Sequence, residues 1–227
     1  MLGRRTLIAL LILASMLGLA PSASAEWFAD LFVGGAFTQD HNVDKNTTKF
    51  SDVSFDTSGV VGARVGYWLS DMDFAGLSFD ILHYRPDISD QTVNTSTNAS
   101  TGTAALTGTE LSVIAFSLDF RFRYPLLRTT EFPKGRLQPY ALFGPTVAYV
   151  EARDTNNFGP PANQSHSTER VGFNGGGGMA WQFHPRLAVF GEYRYLHFSP
   201  HFGFGRSDRV STEITSHLFT TGVSFRF

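Results

Sequence analysis

Alternation at the end of the chain limits what it can fold into: Phe219, Val223, Phe225 and Phe227 share one parity, while Thr220, Gly222, Ser224 and Arg226 share the other. A period of two is that of a β-strand, whose successive side chains leave opposite faces. In water, a strand with one face of bare aromatics is an aggregation hazard. The pattern suits a strand whose outer face meets hydrocarbon and whose inner face meets a polar lumen, as in a transmembrane β-barrel.

At the other end, Arg4 and Arg5 precede an apolar run from Leu7 to Ala20 and the small residues Ser22-Ala23-Ser24-Ala25. This is the layout of a secretory signal peptide, with cleavage expected after Ala25 and Glu26 as the first mature residue. The run is shorter than the roughly 20 residues that a membrane-spanning helix needs. Residues 1–25 are therefore read as a signal peptide and residues 26–227 as one barrel domain. Removing Arg4 and Arg5 from 18 basic residues leaves 16 against 20 acidic ones, a net charge of about −4, which argues against a nucleic-acid partner.

The chain has no cysteine, which excludes a disulfide scaffold, thiolate metal sites and cysteine catalysis. Its 22 Phe and 22 Gly accompany a mean hydropathy of only −0.07. Strands with one lipid face and one polar face average out in this way, whereas membrane helices would raise the mean well above zero.

Eight segments carry the alternation, an even number as bacterial barrels require. The first, Trp27 to Phe37, turns Trp27, Leu31, Val33 and Phe37 outward and Asp30 inward. Phe55 to Trp68 turns Val61, Ala63, Val65 and Tyr67 out and Arg64 in, and Asp73 to Arg85 turns Leu77, Phe79 and Ile81 out and Ser78 and Asp80 in. In the fourth, Ile114, Phe116, Leu118, Phe120 and Phe122 face lipid, and Ser117, Asp119, Arg121 and Arg123 face the lumen. The fifth, Leu137 to Glu151, carries Pro139 and Pro145 on its outer parity and is expected to be the least regular, because proline removes ladder donors. The sixth, Val171 to Phe183, contains Gly175 to Gly178. With no Lys and no helix following, this run reads as a glycine-softened strand and not as a phosphate loop. Leu187 to Phe198 turns Val189, Tyr193 and Tyr195 out and Glu192 and Arg194 in, and the terminal segment is the eighth.

Tight links at Leu69 to Met72 and His184 to Arg186 alternate with long polar connections, the arrangement of short periplasmic turns and longer extracellular loops. The largest connection, Pro86 to Gly108, includes the polar run Thr92 to Thr101, and is expected to be mobile for want of apolar surface. Tyr124 to Arg136 is a long connection on the periplasmic side, where Pro125, Leu126, Leu127, Phe132 and Pro133 suggest a small cap under the barrel.

The terminal VSFRF, the segment QPYALFGPTVAYVEAR and the segment GEYRY together resemble the OmpA-like eight-stranded barrel family, which also includes Opa-type opacity and surface proteins. The resemblance covers nearly all of residues 26–227 and implies a monomeric, up-and-down, antiparallel transmembrane β-barrel in the bacterial outer membrane. It also implies contact with outer-membrane lipids and lipopolysaccharide. Phe227 resembles the terminal sorting signal of outer-membrane proteins, which implies recognition by the barrel assembly machinery. Pro145 after Gly144 departs from the small residue more usual there, so a kink in the fifth strand is expected.

An eight-stranded barrel is just wide enough inside for side chains to fill it. Inward parity assigns it four acids, Asp30, Asp80, Asp119 and Glu192, and five bases, Arg64, Arg121, Arg123, Arg194 and Arg226. Unpaired charges confined there are costly, so interlocked ion pairs that close the lumen are expected. The alternative is a small channel for ionic solutes, or for hydrophobic solutes through a lateral gap at Gly175 to Gly178.

His197 and Ser199 stand two apart, hence on one face, and resemble the His-x-Ser element of lipid A deacylases, which implies an outer-leaflet esterase as a further alternative. The pattern departs from those enzymes at Pro200, where Asn is expected, and at Glu213, which lies about two residues beyond the expected acid. That reading predicts a lipid A profile that changes with Ser199→Ala. His41, His83, His166, His184, His201 and His217 show no metal-ligand spacing, and Asp71/Asp73 and Asp52/Asp56 offer too few oxygens for calcium. No catalytic, cofactor-binding or metal-ligating residue is assigned. The expected work is structural and interactive: a closed barrel that stabilises the envelope and presents surface loops for adhesion, contact with host or matrix ligands, or immune exposure.

Overall fold

The computed structural model describes residues 26–45, 48–97, 100–106, 109–154, 164–204 and 208–227. The signal-peptide reading of residues 1–25 lies outside the described residues, as do the side chains of His166 and His201. The described chain contains β1 (Glu26–Thr38), β2 (His41–Lys45), β3 (Thr48–Val53), β4 (Ser58–Trp68), β5 (Ala75–Tyr84), β6 (Gln91–Ser96) and β7 (Thr101–Leu106). After them come β8 (Thr109–Arg123), β9 (Leu137–Asp154), β10 (Gln164–His184), β11 (Leu187–Phe198), β12 (His201–Phe204), β13 (Asp208–Thr212) and β14 (Ile214–Arg226).

Eight of these strands close an antiparallel barrel in the order β1-β14-β11-β10-β9-β8-β5-β4. They are the eight alternating segments read from the sequence, and adjacent wall strands follow each other along the chain. The outward parity is exposed as lipid contact requires, with Leu31 62%, Phe120 48% and Phe225 43% exposed. Most strand ends differ by a few residues, although β10 begins at Gln164, well before the expected Val171. Phe55 stands outside β4 in an isolated bridge to Ile88, and β5 begins at Ala75 because the Ala75 amide closes a turn onto the Met72 carbonyl.

Pro139 and Pro145 do not shift the fifth wall strand. β9 pairs with β10 in unbroken register from Asp154 to Leu137. Its ladder to β8 skips the Leu118/Pro145 and Asp119/Gly144 positions and resumes at Phe120↔Phe143 in the same register. Gly144 makes this closeness possible, because a Cβ there would meet the Leu118 carbonyl and the Asp119 carboxylate. The glycine run is likewise laddered on both sides, to β9 and to β11, so the wall has no lateral gap at Gly175 to Gly178. The register shift in β10 falls at Gln182/His184 instead.

The connection from Pro86 to Gly108 is the main correction to the expected fold. It forms the β6–β7 hairpin and joins a second sheet, six-stranded, in the order β12-β13-β2-β3-β6-β7. Three excursions that leave the same end of the barrel thus pair with one another: β2–β3 follows β1, β6–β7 follows β5, and β12–β13 follows β11. Polar as it is, the hairpin contributes Val93 and Leu106 to an apolar cluster with Phe50, Val53 and Ile88, and these few buried residues give the ordered pairing its core.

That cluster continues downward into the barrel through Phe32, Leu82, Val113, Leu196, Phe198 and Leu218. The half of the lumen nearest the second sheet is therefore a hydrophobic core and not polar, because the inward positions there are apolar on strand after strand. Glycines on the inward parity make room for rings: a Cβ at Gly62 would collide with Phe32, and one at Gly66 with Phe28. With so narrow a bore, a large inward ring on one strand requires a missing side chain on the next.

At the opposite end, residues 124–136 form a folded turn. Leu126 bridges to Leu137, Gly135 takes a φ of +86°, and Phe132 is buried beneath the Arg136 guanidinium, 5.5 Å from its ring centre.

Leu106 is only 2% exposed, so Leu106→Ala is expected to cost the β6–β7 hairpin about 2–5 kcal/mol of local stability. Amide exchange should then accelerate in β6 and β7, while the barrel keeps its folded mobility on an unheated gel.

Candidate functional site

The lumen beneath the apolar cluster holds the charged residues of the chain's inward faces. Arg64 lies at its centre. Cross-strand register sets it directly opposite Asp30 on β1 and Asp80 on β5, so both neighbouring strands bring a carboxylate to the same level. Its Nε donates to the Asp80 oxygens at 3.0 and 2.9 Å, and its Nη1 donates to Asp30 Oδ2 at 2.9 Å. Nη2 crosses the barrel to Glu192 of β11, at 2.7 and 3.0 Å from its two oxygens. The rings of Phe32 and Phe190 lie 5.3 and 5.6 Å from the guanidinium carbon, within cation–π range.

Arg194 completes this layer. Its Nη2 lies 2.5 Å from Asp80 Oδ2, 2.9 Å from Glu192 Oε1 and 3.7 Å from Asp119 Oδ2. Tyr140 donates to Glu192 Oε2 at 2.9 Å, and Asn174 donates to Asp119 Oδ1 at 2.7 Å. The inward Gly178 seats Tyr140, since a Cβ there would touch its ring.

Toward the barrel end that carries the short turns, a second layer contains Arg121, Arg123 and Arg226. All nine charged residues assigned to the lumen from parity are buried. Glu26, at the first position of β1, was absent from that set. Its two oxygens accept from Arg123 Nη2 at 2.6 Å and Arg226 Nη1 at 3.0 Å. The signal was available, because Glu26 shares the parity of Phe28 and Asp30. With it the lumen holds five acids and five bases, although they are unevenly spread. Arg64 and Arg194 sit among four carboxylates, whereas Arg123 and Arg226 share Glu26 and Arg121 reaches back to Glu192 only at 3.6 Å. Gln138 ties this layer to the folded turn, accepting from Arg226 at 2.9 Å and donating to the Gly135 carbonyl at 2.7 Å.

At its Nδ1, His197 meets a neighbour on the next wall strand. That atom meets the Thr215 hydroxyl at 2.9 Å across the β11–β14 ladder, and the imidazole packs against Phe173 and Tyr195. Ser199 lies just past the end of β11. His217 is engaged as well, by the Tyr193 hydroxyl at 2.7 Å and the Gln39 side chain at 2.7 Å. Among the described residues, no group of three His, Asp or Glu side chains is placed to hold a metal ion.

Residues 9–227 match the family described as outer membrane protein beta-barrel domain. The chain belongs to that family. Solved structures agree on the fold. OprG from Pseudomonas aeruginosa is 13% identical with a TM-score of 0.55, over 90% of this chain and 97% of its own. Neisserial surface protein A is 10% identical with a TM-score of 0.52, over 92% of this chain and 100% of its own. A major outer membrane protein from Thermus thermophilus is 13% identical with a TM-score of 0.52, over 90% of this chain and 100% of its own. No curated protein matches the sequence. The chain is thus an eight-stranded barrel of the outer membrane, a class in which short turns face the periplasm and longer connections face the outside.

Arg64→Met leaves three buried carboxylates without their shared cation, and is expected to lower stability by about 3–5 kcal/mol in urea unfolding from lipid vesicles. Arg64→Lys should recover little, because a single ammonium cannot reproduce the forked donors that reach three strands.

Proposed function

We propose that this outer-membrane barrel serves as a sealed anchor: it strengthens the envelope and presents the six-stranded sheet for contact with host or matrix surfaces. The carrying observation is the stacking of that sheet on a filled lumen, apolar in its outer half and ion-paired below. Loops and additions on a rigid scaffold are where binding usually resides, and here the scaffold orders three excursions into one surface. The sheet has an unpaired edge at β7, among the described residues, whose Thr101, Gly102 and Thr103 are exposed. Such an edge offers backbone donors and acceptors to an extended segment of a partner.

The outer wall takes outer-membrane lipids and lipopolysaccharide as its solvent, and the exposed Phe227 is the feature that the barrel assembly machinery would read. One barrel closes on itself without a free edge, so a monomer suffices for membrane insertion.

Replacing residues 86–108 by a tight turn is expected to reduce adhesion of expressing cells to host or matrix surfaces while the barrel still assembles. Unchanged adhesion would remove the β6–β7 hairpin as its carrier. In planar bilayers the wild-type protein is expected to give no stable single-channel current. A steady conductance whose selectivity changes in Arg121→Ala would replace the sealed anchor by an ion channel.

A further inference from the structure

The periplasmic layer of the lumen contains a feature that sealing does not require. A cavity of about 20 Å³ is bordered by Arg121, Arg123, Arg226, Tyr140 and Asp30. The three arginines are 3%, 3% and 6% exposed. Nε and Nη1 of Arg121, Nη1 of Arg123 and Nε of Arg226 meet no protein acceptor. Aromatic faces hold two of these side chains by stacking: the Arg121 guanidinium carbon lies 4.6 Å from the Tyr140 ring centre, and that of Arg123 lies 4.2 Å from the Trp68 ring centre. Stacking occupies the faces of a guanidinium and leaves its N–H edges to seek acceptors.

Local charge favours one kind of occupant. Of the three guanidinium groups here, those of Arg123 and Arg226 share Glu26 and that of Arg121 has only a long contact to Glu192, whereas the layer above has four carboxylates around two arginines. Buried donors without acceptors and an uncompensated positive surplus both carry a cost, which a buried anion would relieve. The space is little more than the roughly 10–15 Å³ that one water needs, so tetrahedral oxyanions such as phosphate or sulfate are too large. We propose that this cavity binds one small monovalent anion of halide size, with chloride as the natural occupant, on the guanidinium edges of Arg121, Arg123 and Arg226. The rival occupant is a water molecule that donates to Asp30 Oδ1, an oxygen that meets no protein donor.

Bromide distinguishes the two, because its anomalous scattering marks it against water. Crystals of the full barrel grown in sodium bromide are expected to show an anomalous peak between the three guanidinium groups, lost in Arg121→Met. In detergent, the wild-type unfolding midpoint should rise with the logarithm of chloride concentration relative to gluconate at equal ionic strength, and Arg121→Met should abolish that dependence. No peak in the wild-type crystals overturns the proposal, whether or not the variant folds. A peak with equal midpoints in chloride and gluconate marks an adventitious ion only, and overturns it as well.

Discussion

The structure depends on one guanidinium group. Arg64 reaches carboxylates on β1, β5 and β11, and so joins two neighbouring wall strands to one across the bore. In a barrel, hydrogen-bonded ladders hold adjacent strands but fix nothing between opposite walls. Side chains that cross the lumen supply that missing connection. Burying an ion pair is costly, and its attraction offsets the desolvation only when geometry is close to ideal and the remaining polar atoms are matched. Arg64 meets the geometric part of this condition with all three of its donor nitrogens engaged, while Asp30 Oδ1 is left without a protein donor.

Lipid outside and ions inside would suggest a simple inversion of a soluble protein, yet the interior is layered. Its outer half is an ordinary hydrophobic core that runs into the second sheet, so the sheet and the barrel share buried surface. Phe50, Val53, Val93 and Leu106 of the second sheet are thereby placed where they exclude water from the barrel mouth. Ion pairs occupy the middle, and an arginine-rich layer lies above the periplasmic turn. Each layer follows from what the inward parity offers at that height. On β11 alone, Ala188, Phe190, Glu192, Arg194, Leu196 and Phe198 pass through the whole sequence of environments.

The barrel was legible because its signal is local. Period two can be read within one strand, and most ends of the eight wall strands lie within a few residues of their expected positions. Lumen charges were legible for the same reason, since parity alone places Arg64, Asp80 and Glu192 inside. The second sheet was not, because its strands are short and its three hairpins join only through non-local pairings, the longest of which, Val210↔Lys45, bridges distant parts of the chain. No single excursion contains enough apolar surface to announce a strand; only their assembly buries Phe50, Val53, Val93 and Leu106 together. The contact of His197 was equally hidden. A spacing of two fixes the face but not the partner, and the partner, Thr215, comes from the next strand.

Buried charge also decides register. Sliding one wall strand by a single residue would exchange its two faces. For β4 this would drive Arg64 into hydrocarbon, at about 2–4 kcal/mol near the bilayer midplane, and would leave Asp30, Asp80 and Glu192 without their cation. An apolar lumen of equal volume could match the stability of the ion pairs, but it would tolerate the slipped strand far better, because Val61 or Val65 would fill the place of its neighbour at little cost. The charges therefore discriminate between the correct pairing and its nearest competitor. In a closed barrel that discrimination propagates, since β1 and β5 meet β4 from either side, and each must satisfy the same guanidinium from its own carboxylate.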